Sequence, residues 1–175
     1  MNSYWLDSDV LVYAKDHIAP LGYEEFSGFW KLVERNIETG VVKITKRNYQ
    51  EITEGRETED ELAKWLKIRK GNGVCVPPNK EVQESAAKIA TYVYSSDQYY
   101  ARYRTKWSNG ADAWLIAQAS VDSGIVVTRE VAQPECHQPK IPDLCKQFDV
   151  KYINLIELMK TLGKPQPSTG KKQTA

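Results

Sequence analysis

Tyr4-Trp5-Leu6-Asp7-Ser8-Asp9-Val10-Leu11-Val12-Tyr13-Ala14 is a short apolar run that delivers two carboxylates before an apolar, helix-like segment resumes. If Tyr4 to Leu6 is a strand of a parallel sheet, Asp7 stands at its carboxyl end, where open α/β sheets bind ligands. Asp7 or Asp9 can also cap the helix that starts near Val10. Capping accounts for one aspartate and leaves the second without a role.

Outward from this segment, strands alternate with helices. Phe26, Phe29, Trp30, Val33 and Ile37 recur at helical spacing within Glu24 to Glu38, and Thr39-Gly40 ends that helix. Val41 to Thr45 reads as a β-branched strand, Asn48 to Glu54 as a brief helix stopped by Gly55, and Glu57 to Lys70 as an amphipathic helix. Val74-Cys75-Val76 is a short strand or an extended piece, followed by a helix over Glu81 to Tyr94. Tyr94 to Trp107 is polar, aromatic and basic, without clear periodicity. A helix from Asp112 to Asp122 then leads to Ile125-Val126-Val127-Thr128, a continuous apolar run of the kind found in buried parallel strands. After a proline-punctuated loop come a helix over Asp143 to Phe148, a strand at Tyr152 to Asn154 and a helix over Leu155 to Leu162. The pattern predicts an α/β fold with a mainly parallel sheet covered on both faces. It places one domain over residues 1–162 and a disordered polar tail over 163–175.

Composition narrows the function classes. In 175 residues, 41% are apolar and 27% charged, and the formal net charge is +1, so no global basic field marks a nucleic-acid binder. Any such surface must be a local patch. Cys75, Cys136 and Cys145 form no paired framework, which points to reduced thiols and a cytoplasmic setting. Cys136-His137 with Cys145 lacks zinc-site spacing. No signal peptide is evident, and no stretch approaches the roughly 18 apolar residues of a membrane span.

Further carboxylates stand beyond strands or at helix boundaries. Glu51 lies in the helix after Ile44-Thr45, Asp112 opens the helix after Asn109-Gly110, and Glu130 follows the strand Ile125 to Thr128. In a parallel sheet, Asp7, Glu51, Asp112 and Glu130 can converge at one end. Carboxylates gathered there raise each other's pKa unless a cation neutralises them. An all-oxygen set suits Mg²⁺ or Mn²⁺, ions that assist phosphodiester cleavage. Each member has a plainer alternative: a cap for Asp112, a solvated helix residue for Glu51 and a loop charge for Glu130. Asp9 and Asp143 are additional acid candidates, with capping as the default for Asp143.

This ordered set resembles the PIN domain, a metal-dependent ribonuclease fold that includes many prokaryotic toxin nucleases. The matching pieces are Leu6-Asp7-Ser8-Asp9, Tyr49-Gln50-Glu51-Ile52, Gly110-Ala111-Asp112-Ala113-Trp114-Leu115-Ile116-Ala117 and Val126-Val127-Thr128-Arg129-Glu130. Ile141-Pro142-Asp143-Leu144-Cys145 and Ile153-Asn154-Leu155-Ile156-Glu157-Leu158 resemble one poorly characterised PIN-like branch. The resemblance implies a three-layer α/β/α PIN-like fold, with Asp7, Glu51 and Asp112 as metal ligands and Glu130 as the fourth acid. It makes Ser8 and Thr128 polar supports. Asp9 departs from the family's usual neutral residue, and Glu130 stands where the family usually has Asp.

Tyr99 to Trp107 mixes rings and cations just before Asp112. Arg102, Tyr103, Arg104, Lys106 and Trp107, with Lys46 and Arg47 near Glu51, are candidates for holding single-stranded RNA. The tyrosines can instead pack a loop or a homodimer interface. The expected function is a divalent-metal-dependent endoribonuclease, by resemblance the toxin of a toxin–antitoxin pair silenced by a protein antitoxin. A PIN-like module that binds RNA or protein without cutting is the second reading. A third starts from Asp7-Ser8-Asp9-Val10, which resembles the Asp-x-Asp of haloacid-dehalogenase-type phosphatases, with Asp7 as nucleophile. The lysine and later Asp-rich motif of that family are not supplied in the expected form.

Overall fold

The computed structural model describes residues 2–54, 60–71 and 73–163. Four strands, β1 (Tyr4–Leu6), β2 (Val42–Lys43), β3 (Ile125–Val127) and β4 (Lys151–Ile153), form one all-parallel sheet in the order β2-β1-β3-β4. β1 and β3 are the inner pair and are buried at every position, which is why both read as unbroken apolar runs.

The pleat sorts their side chains. Tyr4, Leu6, Ile125 and Val127 enter one core, whereas Trp5 and Val126 enter the other. The first core is closed by α1 (Ser8–Tyr13), α2 (Ser27–Glu38), α3 (Lys46–Thr53), α4 (Glu61–Ile68) and α9 (Leu155–Leu162). The second is closed by α5 (Lys80–Ser95), α6 (Ala101–Ser108), α7 (Asp112–Val121) and α8 (Ile141–Gln147). The result is the expected three-layer α/β/α arrangement. α7 is buried nearly all round, at Leu115, Ile116, Ala117 and Ala119, as an apolar helix without a polar face must be.

Several element boundaries differ from those the periodicity predicts. α1 starts at Ser8 and continues as a wider turn over Ala14–Ile18. Only Val42 and Lys43 of the Val41 to Thr45 run pair with β1. Val74-Cys75-Val76 is an extended piece with a single parallel bridge between Val76 and Thr45. Positive φ at Gly73 (103°) and Cys75 (64°) interrupts the strand conformation there. Asp60 caps α4 through the Ala63 amide at 3.0 Å, while Gly55 and the expected helix start at Glu57 lie outside the described residues.

The largest difference is α6, a helix where no periodicity was visible. Only Trp107 of its residues is buried, so no apolar stripe announces it. Among the described residues, no helix is long and apolar enough to cross a membrane. Residues 164–175 of the expected tail lie outside the described residues.

Candidate functional site

β1 and β3 are neighbours although β2 follows β1 in sequence, so the chain reverses its direction of growth across the sheet between them. Clefts open at the carboxyl ends of such strand pairs. Asp7 follows β1 directly, and its amide donates to the Val127 carbonyl at 3.0 Å. Asp7 occupies the capping position of α1, yet its carboxylate makes no full capping hydrogen bond. Thr128 Oγ1 donates to Asp7 Oδ2 at 3.1 Å, and the Glu130 amide donates to Thr128 Oγ1 at 3.2 Å.

Burial pushes the Asp7 carboxyl up to about 7, against the stabilising Thr128 bond, and the charges of Asp9 and Glu130 add to the rise. Asp112 is the first residue of α7, not its cap, and is half-buried. Burial, followed by the charges of Asp7, Glu130 and Glu51, pushes its carboxyl up to about 8. The Lys140 charge offsets part of this. The acids are thus within electrostatic reach of one another. A cavity of about 190 Å³ opens between Glu51, Asp112, Glu130, Tyr103 and Lys106.

Glu51 is held from both sides. Ser8 Oγ donates to Oε2 at 2.6 Å, and the Ala111 amide donates to Oε1 at 3.1 Å. Behind Ser8 lies a residue that the sequence reading missed. Asn48, with no exposed surface, donates from Nδ2 to Ser8 Oγ at 2.9 Å and accepts from Thr45 Oγ1 at 2.6 Å. Thr45 also caps α3 through the Asn48 amide at 3.0 Å. A Thr-x-x-Asn capping spacing was therefore the available signal, although it says nothing about Ser8. Lys140 was missed too: its ammonium lies 3.6 Å from Glu130 Oε1, while the Ile141 amide donates to Oε2 at 2.7 Å.

The remaining candidates divide. Asp9 faces Arg129, whose Nη1 donates at 2.8 Å and whose guanidinium lies 3.5 Å from the centre of the Tyr13 ring. Asp143 stands apart: it accepts from the Gln133 amide at 2.8 Å and lines a different cavity, with Tyr92 and Tyr99. Tyr103, Lys106 and Trp107 line the carboxylate cavity, but Trp107 belongs to the second core and is only 6% exposed. Its indole N–H is buried without a partner among the described residues. Arg104 is tied to the Tyr94 carbonyl at 2.7 Å. Lys46 and Arg47 line a separate hollow against Trp114. Burial pushes the Cys145 thiol up to about 12, which makes it an inert core residue.

The donor set of Asp7, Glu51, Asp112 and Glu130 is anionic and all oxygen, a match in chemistry for Mg²⁺ or Mn²⁺. The Asp112 carboxylate accepts no hydrogen bond from the described residues and so retains its full donor capacity. Positions are less complete than chemistry. Among the described residues, no three acidic, histidine or cysteine side chains stand in ready-made ligating geometry, and Glu51 and Glu130 each commit an oxygen to a backbone amide.

Fold and site together define a parallel α/β protein with a repelling carboxylate group at the carboxyl end of its sheet. The chain belongs to the family described as Domain of unknown function (DUF4411), which matches residues 4–164. No curated protein matches it. Among solved structures, the crystal structure of FitAcB from Neisseria gonorrhoeae is similar at 17% identity and a TM-score of 0.49, over 86% of this chain and 96% of that one. A likeness of that degree assigns no activity.

Proposed function

We propose that the protein is a divalent-metal-dependent endoribonuclease. The observation that carries this reading is the pair Asp7 and Asp112, whose carboxyls are pushed up to about 7 and about 8, chiefly by burial and further by neighbouring carboxylates, Asp9 and Glu130 for Asp7, and Asp7, Glu130 and Glu51 for Asp112. A fold that invests in such repulsion at an open cavity gains by binding a cation there. Asp7, Glu51 and Asp112 would hold the metal, with Glu130 or Asp9 orienting water. A bound Mg²⁺ or Mn²⁺ supplies Lewis acidity, favouring ionisation of water and offsetting charge on the phosphodiester. Ser8, braced by Asn48, fixes the Glu51 carboxylate, and Thr128 fixes that of Asp7. Lys106 at the cavity wall offers a cation to a substrate phosphate.

The test is cleavage of a panel of single-stranded RNAs with Mn²⁺ or Mg²⁺. Asp7→Asn and Asp112→Asn should abolish cleavage while leaving the circular dichroism spectrum unchanged. Undiminished cleavage by both variants would overturn the assignment. Trapping a phosphoryl group on Asp7 would instead support the phosphatase reading.

We infer from the resemblance to PIN-domain toxins that this activity belongs to the toxin of a toxin–antitoxin pair. Expression of the wild-type chain should then arrest growth, Asp112→Asn should not, and a co-expressed neighbouring gene product should restore growth. The second reading, a module that binds RNA or protein without cutting, draws on the backbone amides already occupying Glu51 and Glu130. RNA binding that survives a chelator, with no cleavage of any RNA tested, would favour it.

A further inference from the structure

We propose that Tyr100 and His137 form a stacking platform for one unpaired base of single-stranded RNA at the mouth of the carboxylate cavity. The proposal rests on the RNA reading above and deepens it. Tyr100 immediately precedes α6, and His137 lies in the loop between β3 and α8. Their ring centroids are 4.4 Å apart with planes 21° from parallel. Tyr103 continues the series, its centroid 6.3 Å from that of Tyr100 and its plane tilted by 17°. Tyr100 is 50% exposed, so the ladder presents aromatic surface to solvent.

Both ends of the ladder lead to the cavity. Tyr103 and Lys106 line it from α6, while Gln138 and Pro139, adjoining His137, line it from the loop. Cations accompany the rings. The Arg102 guanidinium lies 4.7 Å from the Tyr103 ring centre and 5.7 Å from that of Tyr100, and Nη2 donates to the Tyr103 hydroxyl at 3.2 Å. α6 carries Arg102, Arg104 and Lys106 and no acidic residue. Parallel rings flanked by cations are the pattern that holds single strands, with bases on rings and phosphates on the positive groups.

The His137 ring and its loop are also pre-oriented by hydrogen bonds made at the ring edge and the backbone. The Gln98 carbonyl can only accept, so His137 Nδ1 carries the hydrogen across their 2.8 Å contact. The Tyr100 amide donates to the His137 carbonyl at 3.1 Å, and Gln98 Nε2 donates to the Cys136 carbonyl at 3.2 Å. These bonds, one of them made by the edge of the His137 ring, fasten the loop to the segment that leads into α6. A base meeting rings already fixed loses less ordering entropy on binding.

The experiment uses the Asp112→Asn protein, so that strands are not cut, and short single-stranded RNAs with 2-aminopurine moved along the sequence. One position should show quenched fluorescence on binding. Tyr100→Ala should remove the quenching and weaken Kd about tenfold, while Tyr100→Phe keeps both. His137→Ala should weaken Kd less. With an abasic nucleotide at that position, Tyr100→Ala should bind as the parent does. Tyr100→Leu keeps apolar bulk and serves if the alanine variant unfolds, with the same loss of quenching expected. Equal affinity of all variants, or a Tyr100 penalty that persists on the abasic strand, overturns the platform; so does absence of quenching at every position, the result expected if these rings dock a protein. Cleavage by the wild type is scored separately. Quenching without cleavage sinks the nuclease reading alone, and cleavage without quenching sinks the platform alone.

Discussion

α7 carries an aspartate at each end, and the two ends behave oppositely. Asp112 begins the helix, where the helix dipole favours an anion, yet its carboxyl is pushed up to about 8. Asp122 follows the last turn, where the dipole disfavours an anion. Its carboxyl is nevertheless held below the ordinary value, despite partial burial, by Lys43, Ser3 and Trp5. Lys43 Nζ donates to Asp122 Oδ2 at 2.7 Å, Ser3 Oγ at 2.5 Å and Trp5 Nε1 at 3.1 Å. A dipole worth about 0.3–1 kcal/mol is overruled at both ends by the groups packed around it. At the amino end of the sheet the Asp122 carboxylate is satisfied by three donors. At the carboxyl end, Asp112 lines an open cavity among other carboxylates and accepts no hydrogen bond from the described residues. A structural carboxylate collects partners, whereas Asp112 collects other carboxylates.

That contrast can be broken most directly by exchanging the charges. Asp112→Asn should reduce metal-dependent RNA cleavage on the order of a thousandfold, and Asp122→Asn should leave it within about twofold. Similar losses in both variants would erase the functional distinction between the two ends.

The next largest effect concerns the cation and pH. Asp7 and Asp112 keep protons in the folded state up to about pH 7 and 8 that the unfolded chain releases near 3.8. With a chelator present, their contribution to stability therefore falls as pH rises between these limits. Saturating Mn²⁺ at pH 8 should recover about 2.7 kcal/mol at a hundredfold excess over Kd, and much less at pH 5. Thermal melts at both pH values check this, and an equal Mn²⁺ effect at pH 5 would count against carboxylate ligation.

Gly124 sharpens the comparison from the amino end. A Cβ there would lie 2.6 Å from Ser3 Oγ and 2.8 Å from Trp5 Cδ1, and the Trp5 ring is buried. Gly124→Ala should cost about 2 kcal/mol in urea unfolding. The smallest effect belongs to Asp122→Ala, about 0.5–1 kcal/mol, because a side chain one-third exposed is screened by water. The Asp122 contribution is present above the ordinary value of 3.8 and fades as pH falls through its lowered folded value, opposite in sign to that of Asp112. A measured stability–pH slope that Asp122→Ala steepens rather than flattens below pH 4 would contradict this.

Much of the architecture was legible in the chain. Buried parallel strands must be apolar at every position, so Tyr4 to Leu6 and Ile125 to Val127 declared themselves, and Thr39-Gly40 and Gly124 marked the ends of α2 and α7, although α2 starts at Ser27, after the expected Glu24. The four acids also stood out, because each lies just beyond a strand or near a helix start. α6 did not, since a helix docked by a single buried tryptophan has no periodic face. Nor did Asn48, whose side chain bridges Thr45 and Ser8 across 40 residues of chain from the latter.

The sequence alone determined the layers, because strand and helix periodicities are local properties of side-chain spacing. It also determined which residues could carry charge at the carboxyl end. Only the folded structure decided that Asp143 turns to its own loop, that Trp107 is core, that Arg129 claims Asp9, and that Tyr100 meets His137. Such pairings depend on how distant segments pack, and hydrogen-bond reach is a few ångströms in space whatever the separation along the chain.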